Sequence, residues 1–203
     1  MKIICIGRNY VEHIRELNNE IPSAPVFFIK PDTSLLTRNR PFHYPAFSNE
    51  IHYETELVLK ISKEGKNITK GSAPDHYDKI GIGLDLTARD LQSAAKEKGL
   101  PWTISKGFDH SAPVNRFVPK SVFPDLKNIR FHLDVNGITV QQGNSGLMIY
   151  DFDDIVSHIS RFMTLRPGDY IFTGTPAGVG PVKVGDRLEA WIEEEKLLTC
   201  LIR

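Results

Sequence analysis

Glu54 and Glu56 stand two residues apart in His52-Tyr53-Glu54-Thr55-Glu56-Leu57-Val58-Leu59-Lys60-Ile61, a segment that otherwise reads as a β-strand. Side chains alternate along a strand, so both carboxylates point to one face. Two anions on one face repel unless something cationic sits between them. A third acid, Asp85, follows in Gly81-Ile82-Gly83-Leu84-Asp85-Leu86-Thr87, where a short apolar run meets the start of a helix. Three carboxylates without a cysteine or histidine cluster suit a hard divalent cation, Mg²⁺ or Mn²⁺, rather than zinc. A solvated strand face with surface glutamates would show the same spacing.

Other residues could do chemistry beside them. His13 and Glu16 are three apart on a short helix and can face each other. A carboxylate beside an imidazole fixes its tautomer and stabilises its protonated form, as a general base requires. An ordinary surface ion pair has the same spacing. Lys106 lies in Trp102-Thr103-Ile104-Ser105-Lys106-Gly107-Phe108. It could hold an anionic substrate oxygen, although a snorkelling surface lysine is the blander reading and the one this segment alone favours. Phe172-Thr173-Gly174-Thr175-Pro176-Ala177-Gly178-Val179-Gly180 runs from a strand into a Gly-rich turn. It lacks the Gly-Lys-Ser/Thr ending of a phosphate loop, which excludes that motif. Its backbone N–H groups and the Thr175 hydroxyl could take a carboxylate, as turn nests do.

The elements that position these groups can be read in outline. Residues 2–6 suit a strand, and Asn9 is expected to start a short helix with Glu12 as its capping-box partner, ending near Leu17-Asn18-Asn19. Five prolines between Ile21 and Asn49 exclude helix there and leave Val26–Ile29 as a candidate strand. Residues 51–61 form the strand with the two acids. Thr87 is expected to cap a helix over 88–98, with Asp90 at its third position and Gly99 and Pro101 as its stop. Arg89 and Gln92 then share one face. Asn136-Gly137 between Ile129–Val135 and Ile138–Gln142 signals a hairpin. Asp151 caps a helix with apolar positions Ile155, Val156, Ile159, Phe162 and Met163. Arg166–Asp169 turns into a strand over 170–173, and Arg187–Ile192 with Lys196–Ile202 makes a last hairpin around three glutamates. Many short strands with about three short helices in irregular order mean an α+β fold that is predominantly β, not alternating βαβ.

The chain has 203 residues, enough to bury a substantial core within one domain spanning 1–203. Twenty-five basic residues balance twenty-five acidic ones, which gives no support to a nucleic-acid or anionic-membrane partner. No apolar run approaches a membrane span, and the short apolar start is broken by Gly7 and Arg8, unlike a signal peptide. Cys5 and Cys200 are too few for a disulfide framework or a zinc site and suit buried apolar positions. Asn67-Ile68-Thr69 matches a glycosylation sequon but is discounted without a secretory signal. A reduced, cytoplasmic setting is the default expectation.

Taken together the pieces resemble the fumarylacetoacetate hydrolase family, and in particular its short members, the acylpyruvases and oxaloacetate decarboxylases. Gly7-Arg8-Asn9-Tyr10 followed by His13-x-x-Glu16 resembles the family's N-terminal lid segment, here residues 9–21. Phe28-x-Lys30-Pro31 is similar to its next stretch. His52-x-Glu54-x-Glu56-Leu57 and Asp85-x-Thr87-x-Arg89-Asp90 are similar to its metal-binding motifs. Gly99-Leu100-Pro101-Trp102 leads to Lys106, and Thr173-Gly174-Thr175-Pro176 leads to Gly178-Val179-Gly180, as in close relatives. The resemblance implies a mixed β-roll, usually a homodimer. It implies Mg²⁺ held by Glu54, Glu56 and Asp85, with Mn²⁺ or Ca²⁺ able to substitute. His13 and Glu16 become a water-activating dyad, and Lys106, Arg89, Gln92, Gly174 and Thr175 meet a small 2-oxo acid substrate. The implied reaction is hydrolysis of the C–C bond of acylpyruvates to pyruvate and a carboxylic acid. Oxaloacetate decarboxylation or tautomerisation, isomerisation of a hydroxymuconate-type diacid, and a metal-binding module without catalysis are the alternatives. The chain lacks the long N-terminal domain of fumarylacetoacetate hydrolase itself, so fumarylacetoacetate is not the expected substrate.

Overall fold

A computed structural model of the chain describes residues 1–16 and 20–203. In chain order its regular elements begin with β1 (Ile3–Gly7), α1 (Val11–Glu16), β2 (Val26–Lys30), β3 (Leu35–Leu36), β4 (Ile51–Tyr53) and β5 (Thr55–Ile61). Then come β6 (Tyr77–Leu84), β7 (Thr87–Ala88), α2 (Arg89–Glu97), α3 (Thr103–Lys106) and β8 (Ala112–Pro119). The chain finishes with β9 (Arg130–Val135), β10 (Ile138–Asn144), α4 (Phe152–Ser160), β11 (Tyr170–Phe172), β12 (Gly180–Pro181), β13 (Arg187–Ile192) and β14 (Glu195–Leu201). Short 3₁₀ turns join some of them.

A seven-stranded sheet runs β2-β1-β11-β5-β6-β8-β3. The β1–β11 and β3–β8 pairs are parallel and the others antiparallel, so the sheet is mixed as expected. A four-stranded antiparallel sheet, β10-β9-β13-β14, packs against it, and β12-β4-β7 forms a small third sheet. Strand parity sorts the core. Ile4, Ile6, Leu57, Leu59 and Ile61 face the large hydrophobic cluster, whereas Ile3, Cys5, Val58 and Phe172 form a small cluster on the opposite face. Truncating a fully buried residue such as Leu57 to alanine costs about 2–5 kcal/mol.

Several local expectations hold. Asn136 and Gly137 both take positive φ (53° and 79°), the geometry of a two-residue hairpin turn between β9 and β10. Asp151 caps α4 through a full capping box with Asp154. Gly99 ends α2 in the left-handed region, with Leu100 N–H donating to the Ala95 carbonyl. Cys5 and Cys200 are free and buried.

Others need correction. Residues 51–61 are two strands, broken at Glu54, because the chain leaves the small sheet there and enters the large one. Asn9 does not cap α1. Its side-chain amide donates to the Tyr150 and Thr173 carbonyls and its oxygen accepts from Tyr150 N–H, tying β1 to distant segments instead. Thr87 does not cap α2 either, since it pairs with His52 as part of β7 and its hydroxyl is engaged at the site described below. Phe162 and Met163 lie beyond the end of α4, and Phe162 is exposed. The helical turn α3, which carries Lys106, had no signal of its own. The expected end of α1 near residues 17–19 lies outside the described residues.

Candidate metal centre and substrate pocket

The break at Glu54 builds the site. Glu56 sits on β5 on the same side as Val58, the face of the small cluster. Asp85 follows directly after β6, the strand paired with β5, and its N–H donates to the Glu54 carbonyl at 2.8 Å. One carboxylate oxygen from each of Glu54, Glu56 and Asp85 lies within 4.8 Å of the others. All three residues are buried, at 6%, 1% and 1% exposure, so a solvated strand face is ruled out.

Buried charge needs compensation. Lys106 supplies much of it. Its ammonium donates to Glu54 Oε2 (2.8 Å), Asp85 Oδ2 (2.7 Å) and Thr87 Oγ1 (2.6 Å), using all three hydrogens. It is almost fully buried, which corrects the snorkelling reading. Burial opposes its charge, but Asp85 and Glu54 outweigh that and raise its pKa. Arg89, at the start of α2, places one nitrogen 2.5 Å from Glu54 Oε1 and another 2.5 Å from Gln92 Oε1. Burial pulls the Glu54 carboxyl upward, and Lys106 with Arg89 overcomes it, so its pKa falls well below the usual range.

Glu56 is different. Among the described residues, its one hydrogen-bond donor is the Gly174 N–H, at 2.7 Å. Burial raises its pKa well above the usual range, and the neighbouring Asp85 and Glu54 add to the effect. Gly174 approaches this close with φ +99°, and a Cβ there would lie 2.7 Å from the Asn9 Cβ, so the position suits glycine. A buried carboxylate short of positive charge, beside two others, is the environment that a hard divalent cation completes. The donor set of three carboxylate oxygens fits Mg²⁺ or Mn²⁺.

His13 lines the same pocket, as do Arg89, Gln92, Lys106 and Thr175. His13 Nδ1 is 3.0 Å from Glu16 Oε2, and Glu16 Oε1 accepts from the Gly178 N–H at 3.0 Å. A carboxylate only accepts, so Nδ1 carries the hydrogen, and in the neutral ring that leaves the lone pair on Nε2. Thr175 Oγ1 is held by Gln141 Nε2 at 2.9 Å, and Gln141 Oε1 accepts from Thr55 N–H between the two glutamates. Every site residue expected from the sequence therefore lies at this one locus.

Three further residues belong to the site and carried no site role from sequence. Gln141 and Thr87 are two, and Lys30 is the third. The Lys30 side chain is fully buried, with its nitrogen 2.7 Å from Asp85 Oδ1, near enough for attraction though not aligned as a hydrogen bond. Its three hydrogens are shared among four acceptors within reach, the Ser111 hydroxyl and the carbonyls of Leu86, Ser111 and Lys106. Its signal was a lysine closing an apolar strand, inside the Phe28-x-Lys30-Pro31 stretch.

Comparison with known proteins agrees with this geometry. The fumarylacetoacetate (FAA) hydrolase C-terminal family model matches residues 2–202. The chain belongs to that family. It is 47% identical over 192 residues to a mitochondrial oxaloacetate decarboxylase of Dictyostelium discoideum, covering 94% of this chain and 88% of the relative. It is 44% identical over 190 residues to the mitochondrial oxaloacetate tautomerase FAHD1 of Bos taurus, covering 94% and 86%. Among solved structures, fumarylpyruvate hydrolase from Pseudomonas aeruginosa, in complex with Mn²⁺ and pyruvate, superposes with a TM-score of 0.94 at 37% identity, covering 100% of this chain and 89% of that one. Among the described residues, no helix is long and apolar enough to cross a membrane.

Proposed function

We propose that the protein is a Mg²⁺-dependent hydrolase of acylpyruvates, releasing pyruvate and a carboxylic acid. The observation that carries this reading is the convergence, in one pocket, of the buried three-carboxylate cluster, the buried Lys106 ammonium and the His13–Glu16 pair. Glu54, Glu56 and Asp85 would hold the cation, with Mn²⁺ or Ca²⁺ able to replace it. When bound, the cation would supply Lewis-acid stabilisation of negative charge on a 2-oxo acid.

The chain's own groups do the rest. Nε2 of His13 takes a proton from water as that water adds to the C4 carbonyl of the substrate. Glu16 holds the imidazole in the required tautomer and stabilises its charge. The C3–C4 bond then breaks, and its electron pair delocalises from C3 onto the C2 oxygen. Lys106 places fixed positive charge beside that oxygen. Return of a proton to C3 completes pyruvate. Arg89, Gln92, Gly174 and Thr175 orient the substrate and the carboxylates. A closing α1 would exclude water other than the reacting one.

A second reading has its own support in the printed names of the relatives, oxaloacetate decarboxylase and oxaloacetate tautomerase. Both oxaloacetate reactions need the same electron sink at C2 and no water attack. We further propose a homodimer in a reducing, cytoplasmic setting, which the two free buried thiols suit, although the oxaloacetate relatives are described as mitochondrial. The test is kcat/KM with Mg²⁺ for a panel of acylpyruvates, oxaloacetate and a hydroxymuconate-type diacid. Highest efficiency on an acylpyruvate is the expected result. Efficient turnover of oxaloacetate alone would move the assignment to the second reading.

A further inference from the structure

Gln141 reaches the site from the four-stranded sheet. In a regular β10 it would share a face with Thr139, and Thr139 is exposed. A β-bulge prevents that. Thr139 pairs with Asp134 and Gln141 with Leu133, so Val140 is an extra residue and the strand turns Gln141 inward, where it is buried. Bulges of this kind re-aim side chains beside active sites. The same bulge sets the Val140 carbonyl against the glycine turn, where a Cβ on Gly178 would lie 2.8 Å from it.

The partners of the Gln141 amide fix which way round it sits. Thr55 N–H only donates, so Oε1 faces it at 3.0 Å. The Pro176 carbonyl only accepts, so Nε2 faces it at 3.0 Å. The second hydrogen of Nε2 goes to Thr175 Oγ1 at 2.9 Å. That bond makes the Thr175 oxygen an acceptor and leaves its own hydrogen to be placed. Among the described residues the one acceptor for it is the Pro176 carbonyl, a long 3.5 Å away and already taken by Gln141. Thr175 lines the pocket with Glu54, Glu56 and Lys106, whereas Gln141 stands behind it. A hydroxyl whose oxygen already accepts, and whose hydrogen lacks a good acceptor in the protein, donates best to an anionic ligand.

We propose that Gln141 is a positioning residue, which turns the Thr175 hydroxyl into a dedicated donor for a substrate oxygen while its own carbonyl holds Thr55 in place between the two glutamates. This rests on the reading of the pocket as a 2-oxo acid site, and it adds the residue that sets the direction of one of that site's donors. With Gln141 in place, Thr175 meets an incoming carboxylate with its hydrogen already aimed. Without it, the hydroxyl is free to rotate, and its hydrogen can settle on the Pro176 carbonyl that Gln141 otherwise occupies. The rival account is a glutamine that only joins the two sheets, with the Thr175 hydroxyl finding the substrate unaided.

A double-mutant cycle of Gln141→Met and Thr175→Val separates the two, read by calorimetry of oxalate binding at saturating Mg²⁺. Each single variant is expected to weaken oxalate by about tenfold, the scale of one hydrogen bond to a charged group. In the Thr175→Val background, Gln141→Met is expected to add no more than about twofold, because the donor it aims is already gone. A glutamine that only joins the sheets would cost the same factor with and without the Thr175 hydroxyl, and that additivity overturns the proposal. Parent-like oxalate affinity in Gln141→Met overturns it as well. The KM for acetylpyruvate is expected to rise in Gln141→Met with a smaller change in kcat, since the hydroxyl binds substrate and transition state alike. Where Gln141→Met does not fold, Gln141→Asn serves in the same cycle, keeping an amide but drawing it back from Thr175 and Pro176 by one carbon. A parent that binds oxalate but does not turn over acylpyruvates would count against the proposed function alone, and the cycle would still decide Gln141. A loaded parent that binds no oxalate overturns both.

Discussion

At the scale of single residues, His13 and Lys106 have separable duties. Hydrolysis needs an activated water, whereas loss of CO₂ from oxaloacetate needs chiefly the electron sink. His13→Ala is expected to lower acylpyruvate hydrolysis by about two to four orders of magnitude, the usual range for a positioned base, and oxaloacetate decarboxylation much less. Lys106→Ala is expected to damage both reactions. The measurement is kcat/KM of both variants on both substrates, with spontaneous decarboxylation subtracted. Hydrolysis at the parent rate by His13→Ala would remove the dyad from the mechanism. These residues were legible because their roles follow from local spacing: period two for Glu54 and Glu56, and one helical turn for His13 and Glu16. Lys30 and Gln141 were not legible as site residues, because their partners lie far along the chain. Lys30 meets Asp85 and Ser111, and Gln141 meets Thr55 and Thr175. A lysine at a strand end and a glutamine in a hairpin carry no local mark of such partners.

Elements show the same division. The hairpin at Asn136-Gly137 and helix α4 were readable because turn geometry and capping are properties of a few adjacent residues. The helix starts near Asn9 and Thr87 were misplaced because both side chains bond outside their own helices. Asn9 fastens β1 to Tyr150 and Thr173, and Thr87 joins a small sheet and receives Lys106. That changes the expectation for the N-terminal segment. Asn9 and Tyr10 are buried anchors, so a closing element is expected to begin at Val11 rather than at residue 9. Helix α1 is described over six residues, a length that is marginal for an isolated helix, and among the described residues Glu16 links it to the Gly178 turn by one hydrogen bond. Amides of 11–16 are expected to exchange faster than those of β1 in the free enzyme and to gain protection when oxalate binds the Mg²⁺-loaded protein. Equal protection with and without oxalate would show that α1 does not close.

Across the whole molecule, the fold brings seven separate stretches of chain to one buried site, and its carboxylate cluster ties stability to pH and to metal. In the metal-free protein the folded-state pKa of Glu56 is raised, chiefly by burial. The folded protein then holds a proton that the unfolded chain has already released. Stability is therefore full below the ordinary carboxylate range and declines as pH rises from there toward the raised value. Glu56→Gln removes this loss while nearly keeping the shape, so the metal-free variant is expected to melt higher than the metal-free parent at neutral pH, with a flatter dependence on pH. Thermal melts of both proteins between about pH 5 and 8 read this directly, and superimposable curves would show that Glu56 is not the strained carboxylate. Added Mg²⁺ is expected to raise the melting temperature of the parent and not that of the variant. The most direct measurement of the central claim is pyruvate release from acetylpyruvate by chelator-treated protein, before and after Mg²⁺ is restored, with Glu56→Gln alongside. Turnover is expected to be lost with the metal, regained on its return, and absent in the variant. Undiminished pyruvate release by the metal-free parent, or parent-like activity of Glu56→Gln at limiting Mg²⁺, would contradict it.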